Sequence, residues 1–163
     1  MSRYHLAQIN VAELKAPLDS PQLKDFVDNL DRINALAESA PGFVWRLKGD
    51  GNDATELRPM GDKIIVNYTI WRDVESLKHF VYGTAHVEIL KRKREWFERM
   101  KLNYVLWWVP VGHIPTVQEA VERLELLRSK GPSPDAFHFG EAWSAPDAEG
   151  EGSPVSFGDS CPA

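Results

Sequence analysis

The order in which the hydrophobic period switches between two residues and about 3.6 constrains this chain more than any other feature. Residues 4–11 alternate, with His5, Ala7, Ile9 and Val11 on one face and Tyr4, Leu6, Gln8 and Asn10 on the other, which is the pattern of a strand. Ser20-Pro21 then opens a helical stretch in which Leu23, Phe26, Val27, Leu30, Ile33 and Ala37 recur at helical spacing, and Pro41-Gly42 closes it. Alternation returns over 43–48, a turn-rich segment follows to Gly61, and the β-branched and aromatic run 63–71 reads as a third strand. Asp73 is placed to cap a short helix containing Leu77, Phe80 and Val81; Gly83 interrupts it, and a longer helix is predicted over 85–100. The aromatic stretch 104–109 is the fourth strand, and Thr116 with Glu119 forms the capping-box pattern of a last helix that Gly131-Pro132 terminates.

The resulting order, β-α-β-β-α-β with a helix appended, predicts an α+β, ferredoxin-like split βαβ domain: an antiparallel sheet with helices on one face and an extra C-terminal helix. At 163 residues the chain has room for one domain, assigned to 1–143, where 134–143 forms a hooked segment. Residues 144–163 are rich in Gly, Pro and Ser and carry Asp147, Glu149, Glu151 and Asp159 with no Lys or Arg, so a disordered acidic tail is expected there. That tail accounts for most of the net charge of −5. The nearly neutral body lacks the basic excess of a nucleic-acid binder, so no nucleic-acid partner is expected. The longest apolar run, 105–111, contains Pro110 and is far short of the ~20 residues of a membrane-spanning helix. The first residues lack the apolar stretch of a secretory signal, which points to the cytoplasm. Cys161, the single cysteine, has no internal partner for a disulfide.

If the more apolar side of the sheet lies under the helices, the opposite side collects Tyr4, Gln8 and Asn10, then Arg46, then Asn67, Thr69 and Trp71. One of Trp107 and Trp108 joins them, since neighbours on a strand point opposite ways. Tryptophan seldom stays on a wetted face, so this surface is expected to be covered and to form a small-molecule site with an aromatic wall and hydrogen-bonding groups. His86 opens a helix where its imidazole is placed for proton transfer, and His113 follows the aromatic strand at a candidate cavity mouth. His5 reads as a core residue and His79 as surface. No histidines and carboxylates show the spacing of a dedicated zinc site, so no metal is expected, and the absence of the glycine-rich nucleotide loops and of the G-x-S-x-G elbow argues against a nucleotide cofactor and a hydrolase.

The stretch Trp71-Arg72-Asp73-Val74-Glu75-Ser76-Leu77-Lys78-His79-Phe80, followed by Gly83-Thr84-Ala85-His86, resembles the pattern of small antibiotic-biosynthesis-type monooxygenases in the dimeric α+β barrel superfamily. Phe80-Val81-Tyr82, Arg92-Lys93-Arg94-Glu95-Trp96-Phe97, Leu106-Trp107-Trp108-Val109-Pro110, Gly112-His113, Glu119-Ala120 and Gly131-Pro132 more closely resemble a bacterial family of uncharacterised function, over residues 4–142. The resemblance implies a homodimer in which a second copy roofs the free face of the sheet. It further implies a cofactor-free monooxygenase acting on an aromatic or polyketide-like substrate. His86 would shuttle a proton, and Arg46, Asn67 and Asn10 would hold substrate oxygens or an anion. Tyr4, Thr69, Trp71, Trp107, Trp108 and His113 would line the pocket. Two alternatives come with it: a haem protein, with His86 as axial ligand and Arg46 near a propionate, and a non-catalytic small-molecule-binding dimer.

Overall fold

The computed structural model describes residues 2–148. Strands β1 (Tyr4–Glu13), β2 (Phe43–Arg46), β3 (Ile64–Trp71) and β4 (Tyr104–Pro110) form one sheet in the order β2-β3-β1-β4, with every neighbouring pair antiparallel. Helix α1 (Lys24–Ser39) connects β1 to β2; α2 (Val74–Gly83), α3 (His86–Lys91) and α4 (Lys93–Trp96) connect β3 to β4. The two central strands are the first members of two crossovers, which is the ferredoxin-like topology expected from the order of elements. α5 (Val117–Lys130) is the appended helix. Both predicted caps form: the Asp73 side chain accepts from the Ser76 N–H at 2.8 Å, and the Thr116 hydroxyl accepts from the Glu119 N–H at 3.1 Å.

The two faces of the sheet differ sharply. Ala7, Ile9 and Val11 of β1, Val66, Tyr68 and Ile70 of β3, and Val105, Trp107 and Val109 of β4 share one face, all buried, and pack against Ala120, Leu124 and Leu127 of α5. The other face carries Leu6, Gln8 and Asn10, then Asn67, Thr69 and Trp71, then Tyr104, Leu106 and Trp108. Here the structure corrects the sequence reading. The crossover helices lie over this mixed face, and the apolar face is covered by α5. Parity determines which residues share a face but not which face the crossovers take. The right-handed sense of the β-α-β connection decides that.

Two local departures have visible causes. The helix predicted over 85–100 breaks at Arg92 and ends at Trp96, because Phe97 turns extended and pairs with Leu14 just past β1. The Glu98 N–H donates to the Glu13 carbonyl and the Lys15 N–H to the Trp96 carbonyl, both at 2.9 Å, so pairing to the sheet outcompetes continuation of the helix. The hooked segment runs along the outer edge of β4, where Phe137 and Leu106 exchange two backbone hydrogen bonds. This covers an edge that would otherwise offer unpaired backbone groups. The packed body extends past the predicted boundary at 143: Ala145 is buried, and the Asp147 carboxylate accepts from the Ser2 hydroxyl and the Arg3 N–H. The rest of the predicted tail, with Cys161, lies outside the described residues.

Gly42, in the turn from α1 to β2, has φ +86°, its carbonyl accepts from the Arg72 N–H at 2.7 Å, and a Cβ there would overlap the Ser76 side chain. Gly42→Ala is therefore expected to destabilise the fold by about 1–3 kcal/mol in urea unfolding. Adding Ser76→Gly to that variant should return only the steric part, leaving about 1 kcal/mol from the left-handed backbone.

Candidate functional site

A cavity of about 240 Å³ lies between the mixed face of the sheet and helices α1, α2 and α3. The chain's own helices lie over this face. At one end the wall is aromatic. Trp71 stacks on Phe80 with ring centroids 5.2 Å apart, Phe43 meets the far side of Trp71 edge-on at 5.4 Å, and Phe80 in turn meets the His86 ring at 4.9 Å. Leu30, Ile33 and Ala37 of α1 supply the apolar ceiling.

The floor is a polar strip running across β1 and β3. The Gln8 amide nitrogen donates to the Thr69 hydroxyl at 2.9 Å and to Asn67 Oδ1 at 3.1 Å. Asn10 Nδ2 donates to Gln8 Oε1 at 3.3 Å, and the Trp71 indole N–H donates to the Thr69 hydroxyl at 2.8 Å. Gln8 and Thr69 are buried, whereas Asn67 is open to the cavity.

His86 sits at the start of α3, its Nδ1 3.2 Å from the Val81 carbonyl oxygen. A carbonyl only accepts, so Nδ1 carries the proton and Nε2 is left with its lone pair. Burial holds the imidazole below the usual histidine range, and the Val81 carbonyl opposes that only in part. At neutral pH the residue is thus an uncharged base on the cavity wall.

Arg46 has another task than the one expected of it. Its buried guanidinium donates from Nε to Glu38 Oε1 of α1 at 2.6 Å and from its two terminal nitrogens to the carbonyl and side chain of Asn52, at 2.5 and 2.9 Å. Asn52 in turn donates to Asp31 of α1 at 2.8 Å. Arg46 therefore pins α1 and the 47–63 loop together beside the cavity, and its charge is already met by Glu38, whose carboxyl it holds below the usual range. A haem does not fit this arrangement. His86 Nε2 suits an axial ligand, but Arg46 is not free to meet a propionate, and the volume lies below the ~300–1,000 Å³ usual even for drug-sized ligands. Among the described residues no three His, Cys, Asp or Glu side chains are grouped to hold a metal ion.

Six of the residues singled out by sequence, His86, Asn67, Arg46, Asn10, Thr69 and Trp71, line this one cavity. Four others do not. Trp107 points to the opposite face, fully buried under α5, with its indole N–H unpartnered. Trp108 shares the site's face, yet it packs on Phe137 and donates to the Trp143 carbonyl at 2.8 Å. Tyr4 pairs with Pro110 at the far end of the sheet, and His113 is exposed in the turn after β4. Asn34 of α1 and Phe139 of the hook also line the cavity, and neither is among the site residues expected from sequence. Asn34 interrupts the apolar stripe between Leu30 and Ala37, and that polar break was the available signal.

Fold and site together define a ferredoxin-like α+β protein with a cavity between its sheet and its own helices. The chain belongs to the family described as "Domain of unknown function (DUF3291)", matched over residues 5–152. Among curated proteins, none matches the sequence. Similar solved structures include a protein of unknown function from Nitrosomonas europaea, 14% identical, with TM-score 0.44, covering 70% of this chain and 95% of that one. SnoaB, a cofactor-independent oxygenase from Streptomyces nogalater, is 14% identical, with TM-score 0.41 and coverage of 69% and 96%. A dabb family protein with a ferredoxin-like fold from Mesorhizobium loti is 17% identical, with TM-score 0.41 and coverage of 66% and 99%. No helix among the described residues is long and apolar enough to cross a membrane.

The depressed proton affinity of His86 sets the sign of a pH effect. As pH falls below the ordinary histidine value of 6.5, the unfolded chain takes up a proton that the folded chain refuses, so stability declines with acidification until folded His86 also protonates. Urea midpoints measured across that range should fall for the native chain, and His86→Gln should remove this part of the slope. An NMR titration should place the His86 imidazole below 6.5.

Proposed function

We propose that this protein is a small-molecule enzyme of the antibiotic-biosynthesis monooxygenase type, acting on a small aromatic or polyketide-like phenol or enol held in the cavity. The observation that carries the reading is the uncharged His86 imidazole, whose Nε2 meets no hydrogen-bond partner among the described residues, beside an aromatic wall and an amide-lined floor. The Trp71 and Phe80 rings suit a planar substrate, and the polar strip suits its oxygens. His86 Nε2 takes the hydroxyl proton, and the electron-rich anion then reacts with dioxygen directly. One oxygen atom enters the ring to give a quinone and the other leaves as water. The substrate supplies every electron, so the reading requires neither reductant nor cofactor. The protein's part is to hold the anion, exclude bulk water and move the proton.

Oxygen uptake by the purified protein over a panel of naphthols and anthrones tests this. His86→Ala should lower kcat by about 10²–10⁴ while leaving KM within a few-fold, the loss expected for a general base. Uptake unchanged in His86→Ala overturns the role of His86. Ligands that quench tryptophan fluorescence but are never converted would favour the non-catalytic binder.

A further inference from the structure

The hydrogen bonds of the cavity floor have a direction, and two fixed points determine it. The Trp71 indole N–H can only donate, so the Thr69 oxygen accepts from it. The main-chain carbonyl of Asn67 can only accept, and the Gln8 amide turns its nitrogen toward it at 3.4 Å. The rest follows from that orientation of Gln8. Gln8 Nε2 is shared among the Asn67 carbonyl, Asn67 Oδ1 and the Thr69 oxygen, and Gln8 Oε1 takes a proton from Asn10. Thr69 now accepts twice, from Trp71 and from Gln8. Its own hydroxyl hydrogen is left over, and the side chain of its cross-strand neighbour Arg46 carries no acceptor for it. Asn67 has its oxygen turned toward Gln8 and therefore turns its amide hydrogens to the cavity, where the residue is exposed. Asn67 and Thr69 thus both present donors.

We propose that Gln8 is a positioning residue that polarises the floor of the cavity into a strip of donors, Asn67 N–H and Thr69 O–H, which selects the ionised form of a phenol or enol over its neutral form. This rests on the cavity being the substrate site, and it adds the charge state of the substrate and the residue that dictates it. Gln8 touches no reacting atom. It is 4% exposed and acts by deciding which way its neighbours face.

The probe is 4-nitrophenol, whose visible absorbance reports the phenolate, titrated against the full chain across pH. To keep the His86 imidazole from being the source of any shift, the measurement is made in His86→Ala as well as in the native protein. In both, the bound probe should ionise about one pH unit lower than free probe, equivalent to a tenfold preference for the phenolate. Gln8→Glu replaces the donor by a carboxylate that only accepts, so Thr69 and Asn67 turn their hydrogens inward and the preference is lost or reversed. Gln8→Met, which buries no charge, covers the case in which Gln8→Glu fails to fold, and it should reduce the preference at least fivefold. A probe that binds with unshifted ionisation overturns the donor strip but leaves the cavity reading standing. A shift undiminished in Gln8→Met overturns the role of Gln8. Failure of the probe to bind at all overturns both this inference and the site on which it rests.

Discussion

The architecture depends on one asymmetry: the sheet has a face that is wholly apolar and a face that is not. Nine side chains of β1, β3 and β4 on the first face are buried and must be covered by something equally apolar. In a bare split βαβ unit that duty would need a second copy or another chain. Here α5 performs it with Ala120, Leu124 and Leu127, anchored at its start by the Thr116 cap and at its approach by the Tyr68 hydroxyl, which donates to the Pro115 carbonyl at 2.7 Å. The crossover helices are thereby free to roof a face whose centre is too polar to pack dry. Ala37 of α1 and Leu77 and Phe80 of α2 close on Leu6, Trp71 and Leu106 in a second core, and Leu14, Leu23, Ile65 and Trp96 form a third. The cavity lies between those two cores, over Gln8, Asn10, Asn67 and Thr69.

Electrostatics in the cavity follows the same economy. The buried guanidinium of Arg46, which borders it, is matched by Glu38 and satisfied by Asn52, because an unpaired buried charge would be costly. What remains in the floor is neutral: amides, a hydroxyl and an indole. His86 is neutral too, held so by burial. A site of neutral dipoles fixed in direction stabilises a negative charge that faces their donors without having to reorganise first.

Much of this was legible in the sequence, and the limits have physical causes. The period of two in β1 and β3 placed Gln8, Asn10, Asn67, Thr69 and Trp71 on one face, and they are on one face. The caps at Asp73 and Thr116 follow from local chemistry that the rest of the fold does not disturb. The face taken by the helices is the opposite of the one that apolar patterning predicts, since side-chain parity carries no information about crossover hand. Tyr4 and Trp108 show a second limit. Both share the right face, yet position along the strand separates them from the cavity, and only the register to β3 and the covering hook reveal it. The helix predicted to reach residue 100 ended early because Phe97 found a strand partner 83 residues earlier in the chain, at Leu14. No local propensity encodes such a contact.

Trp71 and Trp107 make the distinction between core and site concrete. Both are fully buried. The indole of Trp107 stacks on Tyr68, and its N–H meets no acceptor, so its contribution is apolar area and ring contact, secured at the expense of one unmet donor. Trp71 gives its N–H to Thr69, and that single bond propagates through Gln8 to Asn67 and Asn10. A burial criterion alone ranks the two tryptophans as equals. Following the donated proton separates them: at Trp107 it ends in the core, whereas at Trp71 it enters the hydrogen-bond network of the cavity floor.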